Sequence, residues 1–335
     1  MTQYIVRRLI QAVPVLFVVS ILAFALIQIA PNNPLSAYLD NPNISHEDIL
    51  RLQQEYGLND PLPVKYLKWL SQTLQGNWGD SFVTHRPVTT EIAERLPNTL
   101  YLVGLAFVLA LVIAIPIGMI SAVRQYSLFD HVITTIAFMG QSIPIFWFGL
   151  LLIIIFSVNL QNPLAGTPTF PHPPPMPLFP GGGMTTLGEY PPDPLVDRLW
   201  HLVLPLTMLA MVQLAQYVRY MRAGMLDILK MDFIRSAYAK GLKERAVIYR
   251  HAFKNAAIPL VTIIGLDTPS LFIGALYTET IFSWPGMGRL FFNSADRGDY
   301  TVMMGILMTS AALIIFFNLV ADIAYGVLDP RIRYD

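Results

Sequence analysis

Six apolar runs, each long enough to cross the roughly 30 Å of hydrocarbon in a bilayer, decide what this chain can fold into. They lie near residues 9–30, 99–123, 132–160, 199–222, 257–282 and 302–327. A backbone crossing hydrocarbon must satisfy its own hydrogen bonds, so the sequence predicts an all-α membrane protein of six transmembrane helices. Charged residues make up only 13% of the chain and hydrophobic ones 54%, which excludes a soluble domain. The first run follows Arg7-Arg8 and is too long, with no clear small-x-small site, for a cleaved signal peptide; an uncleaved anchor is expected.

The distribution of cations orients the chain. With the N-terminus inside, 14 Lys and Arg residues fall on the inner face and 8 on the outer, nine of the inner ones between Arg219 and Lys254. Both termini are therefore expected in the cytoplasm. Formal net charge is zero, so no basic field points to nucleic acid.

Two outer segments are not spans. Ser45-x-x-Asp48 opens a helix carrying Ile49, Leu50, Leu52 and Leu58, which Pro61 and Pro63 end. A second helix, Val64 to Leu74, carries Tyr66, Leu67, Trp69 and Leu70. It suits the membrane interface or the outer mouth, or packing against neighbouring loops. The other segment, 162–197, holds Pro173-Pro174-Pro175 and Gly181-Gly182-Gly183 and is expected as an extended outer loop, a spacer or a recognition element.

The inner segment 223–256 contains Asp232-Phe-Ile-Arg235-Ser236-Ala237-Tyr-Ala-Lys240-Gly241-Leu-Lys-Glu244. Asp232 is predicted to cap a short helix whose small face carries Ser236, Ala237 and Ala239, and Gly241 to end it in the left-handed conformation. A second helix is predicted from Glu244 to Asn255. Arg235-Ser236-Ala237 with Gly241 resembles the "EAA" coupling loop of type I ABC importer permeases, in its peptide-permease form.

The resemblance extends along the chain, through Tyr4–Leu9, Tyr56–Leu67, Arg95–Leu100, Glu279–Gly288 and Asp329–Arg333, to the first permease subunit of dipeptide and oligopeptide importers. It implies a type I fold over 96–325, preceded by the first span and outer segment (1–95) and followed by a cytoplasmic tail (326–335). It also implies a bacterial cytoplasmic membrane, alternating access, a second homologous permease, two cytoplasmic ABC ATPases and an extracytoplasmic binding protein. Contact with the ATPase falls to Asp232, Arg235, Ser236, Ala237, Lys240, Gly241 and Glu244. Peptide is the expected cargo, with nickel, haem, glutathione or sugar as alternatives within the branch. Arg235 stands in place of the family's glutamate, Lys243 in place of a small hydroxyl, and Asp267 where glutamine is usual; the proline-rich loop is longer than typical.

Polar residues inside spans are costly and tend to face a bundle interior or a watery path. Gln141 and Ser142 beside Pro144, Gln213 and Gln216, and Asp267 with Thr268 beside Pro269 are the candidates for a substrate pathway. Asp267 is expected where Gly265 and Pro269 loosen the helix, meeting a substrate ammonium or else paired within the bundle; Asp322 is read as structural. Glu279, Trp284, Pro285, Gly286 and Gly288 are expected to form an outer turn projecting into the mouth, with Trp284 also suited to an interface anchor, and a short helix from Arg289.

No catalytic residue is expected. The chain has no G-x-x-x-x-G-K-[ST], G-x-S-x-G or H-E-x-x-H motif, no cysteine, and six scattered histidines that make no metal set. ATP and Mg would act on partner subunits. A proton-coupled carrier working through Asp267 and Asp322 is the distant alternative; it predicts an internal repeat, and none is evident.

Overall fold

The computed structural model describes residues 2–29, 60–188 and 191–328. The helix expected from Ser45 and the segment from 329 onward lie outside them. Among the described residues there is no strand, only the isolated bridges Asp80–Pro87 and Gln161–Pro177. Among the described residues, four helices are long and apolar enough to cross a membrane, or five when one bent pair is taken as a single span.

The chain divides into two compact units, 1–98 with 286–316, and 99–285 with 317–335. In the first unit, α1 (Thr2–Ile29) buries only Ser20, Ala23 and Ile27. Ala23 and Ile27 form a small core with Met304, while Ser20 and Phe24 meet α2 (Leu62–Leu74), whose Tyr66 hydroxyl lies 2.8 Å from Ser20 Oγ and whose Tyr66 and Trp69 rings pack on Phe24. The aromatic face of α2 thus covers α1. The helix begins two residues earlier than expected, with Pro63 inside its first turn, where a fixed φ and a missing N–H cost nothing.

α3 (Val88–Val123) enters from a turn stitched by charge. Buried Glu91 accepts from Thr84 Oγ1 at 3.0 Å and Arg95 Nη1 at 2.5 Å, and Arg86 bridges Glu91 and Glu94. The hydrogen bonds that the Arg86 guanidinium donates to Glu94, and then the Glu94 charge, hold it above its usual pKa. Opposite, α9 (Met287–Asp296) and α10 (Tyr300–Leu328) meet at Asp299, which receives Ser81 Oγ and, at 3.3 Å, the Phe82 N–H.

The second unit departs most from expectation at the third apolar run. Instead of one straight span it is α4 (Leu128–Ser142) and α5 (Ile145–Leu152), which continues as a π-helical stretch to Asn159; the two halves meet at 107°. Pro144 explains the break: it disfavours helical conformation at Ile143, and extended Ile143 and Pro144 separate the halves. α6 runs unbroken from Pro194 to Leu229, longer at both ends than its apolar core, with Asp193 Oδ1 accepting from the Leu195 and Val196 N–H groups.

α7 (Asp232–Ala239) follows. The predicted second inner helix is no separate element: Glu244–Ala246, a π-helical turn Val247–Ala252 and α8 (Phe253–Ile281) are continuous. α6 and α8 cross closely through small residues, Gly224 against Ala256. A Cβ built on Gly224 lies 2.6 Å from the Ala256 carbonyl oxygen, a backbone atom that no rotamer change moves away. Gly224→Ala should therefore destabilise the chain by about 1–3 kcal/mol, read as a lower thermal midpoint in detergent.

The proline-rich segment, expected as an extended loop, is instead folded back on itself by a turn at 163–166 and the Gln161–Pro177 bridge, and is tied down. Phe170, Met176 and Trp200 form a small core, Trp200 Nε1 donates to Leu178 O at 2.7 Å, and Thr186 binds Asp197 through both its N–H and its hydroxyl. His201 Nδ1 lies 3.1 Å from Gly182 O, and the Gly183 N–H donates to Phe282 O. Pro194 already starts the helix five residues before the apolar run at 199, so the loop proper is shorter than its proline content implied.

Candidate functional site: an inner docking helix and polar groups within the spans

α7 is eight residues long, too short to hold itself by propensity. Two side chains seat it. Ile234 and Ala237 are buried in the main core of the second unit with Met225, Val247, Ala252 and Ala256, and a fully buried isoleucine contributes about 1.5–3 kcal/mol. Its other faces carry Asp232, Arg235, Ser236 and Lys240, all exposed, with Phe233 and Tyr238 exposed beside them.

Asp232 does not cap the helix. Met231 occupies the cap with extended backbone and makes no side-chain bond, so Asp232 lies in the first turn, where its charge still complements the helix N-terminus, 3.5 Å from Arg235 Nη1. The other end is as expected. Gly241 takes φ +77°, its N–H bonds Tyr238 O at 2.9 Å, and the Leu242 N–H reaches Ala237 O at 3.4 Å: the paired bonds of a Schellman motif. Glu244 is exposed where the chain turns back into helix. Of the predicted small face, only Ala237 points inward.

Among the described residues, the predicted pathway residues take part in two inter-helix contacts, made by different residues. Gln216 Nε2 donates to Asp267 Oδ2 at 2.9 Å and Oδ1 at 3.2 Å, joining α6 to α8. Arg219 Nη1 donates to Gln141 Oε1 at 3.0 Å, joining α6 to the broken end of α4. Gln213 is buried on α6, and Ser142 turns back to bond Phe138 O at 2.9 Å. The Thr268 side chain lies outside the described residues. α8 stays helical through Asp267, so the expected loosening beside Pro269 is absent; a proline interrupts one intrahelical bond without ending the helix.

The outer turn also differs. Trp284 is fully buried in the main core of the second unit, so it neither projects into a mouth nor anchors at an interface. Glu279 is equally buried and accepts from Thr99 Oγ1 at 2.6 Å. Neither Gly286 nor Gly288 supplies the turn: Ser283 adopts φ +50°, closing α8 with Trp284 N–H to Glu279 O at 2.8 Å, and Gly286 caps α9 in extended conformation. α9 accordingly starts at Met287, ahead of Arg289.

Sequence reading missed a buried ion pair. Asp130, 2% exposed, receives Arg222 Nε at 2.6 Å and Nη2 at 2.7 Å, with Ser121 Oγ and the Tyr126 N–H at 3.0 Å. It ties the end of α3, the following turn, α4 and α6 together. A signal for it exists in the sequence: Arg222 lies at the end of a helix-length apolar run, where an unpaired guanidinium is costly.

The model of the binding-protein-dependent transport system inner membrane component matches residues 114–334, and its N-terminal companion matches 1–103. The chain belongs to this family. Members are membrane permease components, with ATP hydrolysis in separate subunits. Relatives of this permease match along its whole length. It is 44% identical to the oligopeptide transport system permease protein AppB of Bacillus subtilis, over 100% of both chains. It is 37% identical to the dipeptide transport system permease protein DppB of Escherichia coli K12, over 100% of this chain and 99% of that one. The di/tripeptide transport system permease protein DppB of Pseudomonas aeruginosa is 36% identical over 100% and 99%.

Proposed function

We propose that this permease carries peptides across the bacterial cytoplasmic membrane as one of two homologous permease subunits, driven by two ATPases that bind its inner face and supplied by an extracytoplasmic binding protein. Full-length likeness to permeases named for dipeptide and oligopeptide transport carries the reading. The seated, solvent-facing α7 supports it, because a motor needs a surface that is both exposed and fixed to the spans. In this reading six helices cross the membrane, both termini are cytoplasmic, and 96–325 is the transport domain.

ATP and Mg act on the ATPases, and this chain binds neither. Asp232, Arg235, Ser236, Lys240, Gly241 and Glu244 present the motor contact, and Ala237 fastens it from within. Gln216 with Asp267, and Gln141 with Ser142 at the break between α4 and α5, border the path; Asp267 offers a carboxylate to a peptide ammonium. Glu279 and Trp284 hold the outer end of α8 in place.

The chain tagged and extracted in mild detergent should bring with it a second permease and one or two P-loop ATPases. Reconstituted with the binding protein, that complex should accumulate labelled dipeptide only with ATP. Recovery of the chain alone, moving solute without ATP, would overturn the reading in favour of a gradient-driven carrier.

A further inference from the structure

Two arginines lie one turn apart on α6 and are treated differently. Arg222 is neutralised by Asp130 in a bidentate pair. Arg219 has no carboxylate partner among the described residues: it gives one N–H to Gln141 and lies over the Tyr220 ring, 5.5 Å from its centre. It borders a cleft of about 250 Å3 between α4 and α6, lined also by Thr134, Phe138, Gln141 and Arg222. A guanidinium within a span-length helix is expensive unless it faces water or an anion. Its planar fork suits a carboxylate, which it binds through two parallel bonds.

Position sharpens the chemistry. Three residues earlier on α6, Gln216 holds the Asp267 carboxylate at 2.9 Å. Residues at i and i+3 are neighbours on a helix surface, about 5–6 Å apart at Cβ. One helix thus carries a cation, and beside it a neighbour that carries an anion, within the reach of their side chains. Two extended residues span about 7 Å and three about 10 Å, the separation of the charged ends of a di- or tripeptide. Gln141 already occupies the fork through an amide oxygen, the neutral counterpart of the expected ligand atom.

We propose that the cleft at Arg219 receives the C-terminal carboxylate of a passing peptide whose ammonium end lies toward Asp267, with Gln141 yielding its contact. The proposal rests on the peptide-importer reading. It makes free-acid peptides the preferred cargo of the membrane step itself, apart from any choice made by the binding protein.

The test uses the complete reconstituted transporter and one dipeptide in two forms, free acid and C-terminal amide, each presented at matched occupancy of the binding protein. The unaltered transporter should move the acid about tenfold faster, the worth of a charge-assisted pair. Arg219→Gln should slow the acid to the rate of the amide and leave the amide unchanged, while Arg219→Lys, charged but without the fork, should recover part of the difference. Equal rates for the two forms before substitution would overturn the proposal. So would an Arg219→Gln transporter that slows both forms alike, since that marks a structural role. A preference that disappears in vesicles of phosphatidylcholine alone would assign Arg219 to an anionic headgroup and overturn it as well. If ATP is hydrolysed and neither form enters, the peptide reading fails first and takes the proposal with it.

Discussion

Replacing Asp130 by alanine is expected to lower the thermal midpoint of the detergent-solubilised chain by on the order of 10 °C, a larger loss than that expected from Gly224→Ala. The carboxylate accepts from Arg222, Ser121 and the Tyr126 backbone, so its removal takes the acceptor from the buried Ser121 hydroxyl and the Tyr126 N–H and the counter-charge from the partly buried Arg222 guanidinium. Breaking one side of a buried pair costs about 3–5 kcal/mol, most of it the charge left behind. Asp130→Asn keeps two acceptor lone pairs but not the charge and should fall between. The double change Asp130→Leu with Arg222→Met should recover much of the loss, because no charge then remains buried. Differential scanning fluorimetry of the four proteins checks this, and a single alanine variant that melts with the unaltered chain would sink it.

Gly241→Val should reduce ATP-dependent uptake at least tenfold while the chain still inserts. Nothing lies within 4 Å of a Cβ built at Gly241, so no clash with the rest of the molecule contributes. The whole penalty is conformational: at φ +77° a β-branched residue is strained by about 1–2 kcal/mol, enough to unmake the two bonds that close α7. A helix of eight residues, seated by two side chains, has little else to fix its end. Gly241→Asn, which tolerates the left-handed region, should retain most uptake. Membrane fractions quantified beside peptide accumulation separate the cases; normal uptake by well-inserted Gly241→Val would refute the role given to α7.

Apolar length located the helices, because span length is a property of composition. It did not foretell the 107° break, although Pro144 was visible, since a proline inside a span bends one helix and divides another according to the packing around it. Gly241 was legible because only glycine enters the left-handed region freely; the same logic failed at Ser283, where the tertiary setting imposed that conformation on a residue that does not advertise it. Asp232 was taken for the cap because its side chain is right for one, yet the helix starts a residue earlier and Met231 serves through its backbone alone. Gln216 and Asp267 were each flagged by their cost in a membrane, but their pairing, 51 positions apart in sequence, was not written there. Neither was Asp130 with Arg222, 92 apart.

The fully buried residues of α1, Ser20, Ala23 and Ile27, all lie in its last ten residues, while the described residues before Ser20 are exposed or only partly buried. A helix moored at one end answers a change in bilayer thickness differently from one packed along its length. Where lipid chains shorten, α1 can lean about its mooring and shed the excess apolar length by tilting, at a cost of only fractions of a kcal/mol per Å of mismatch. The aromatic contacts of Phe24 with Tyr66 and Trp69 act as the pivot of that tilt within the unit.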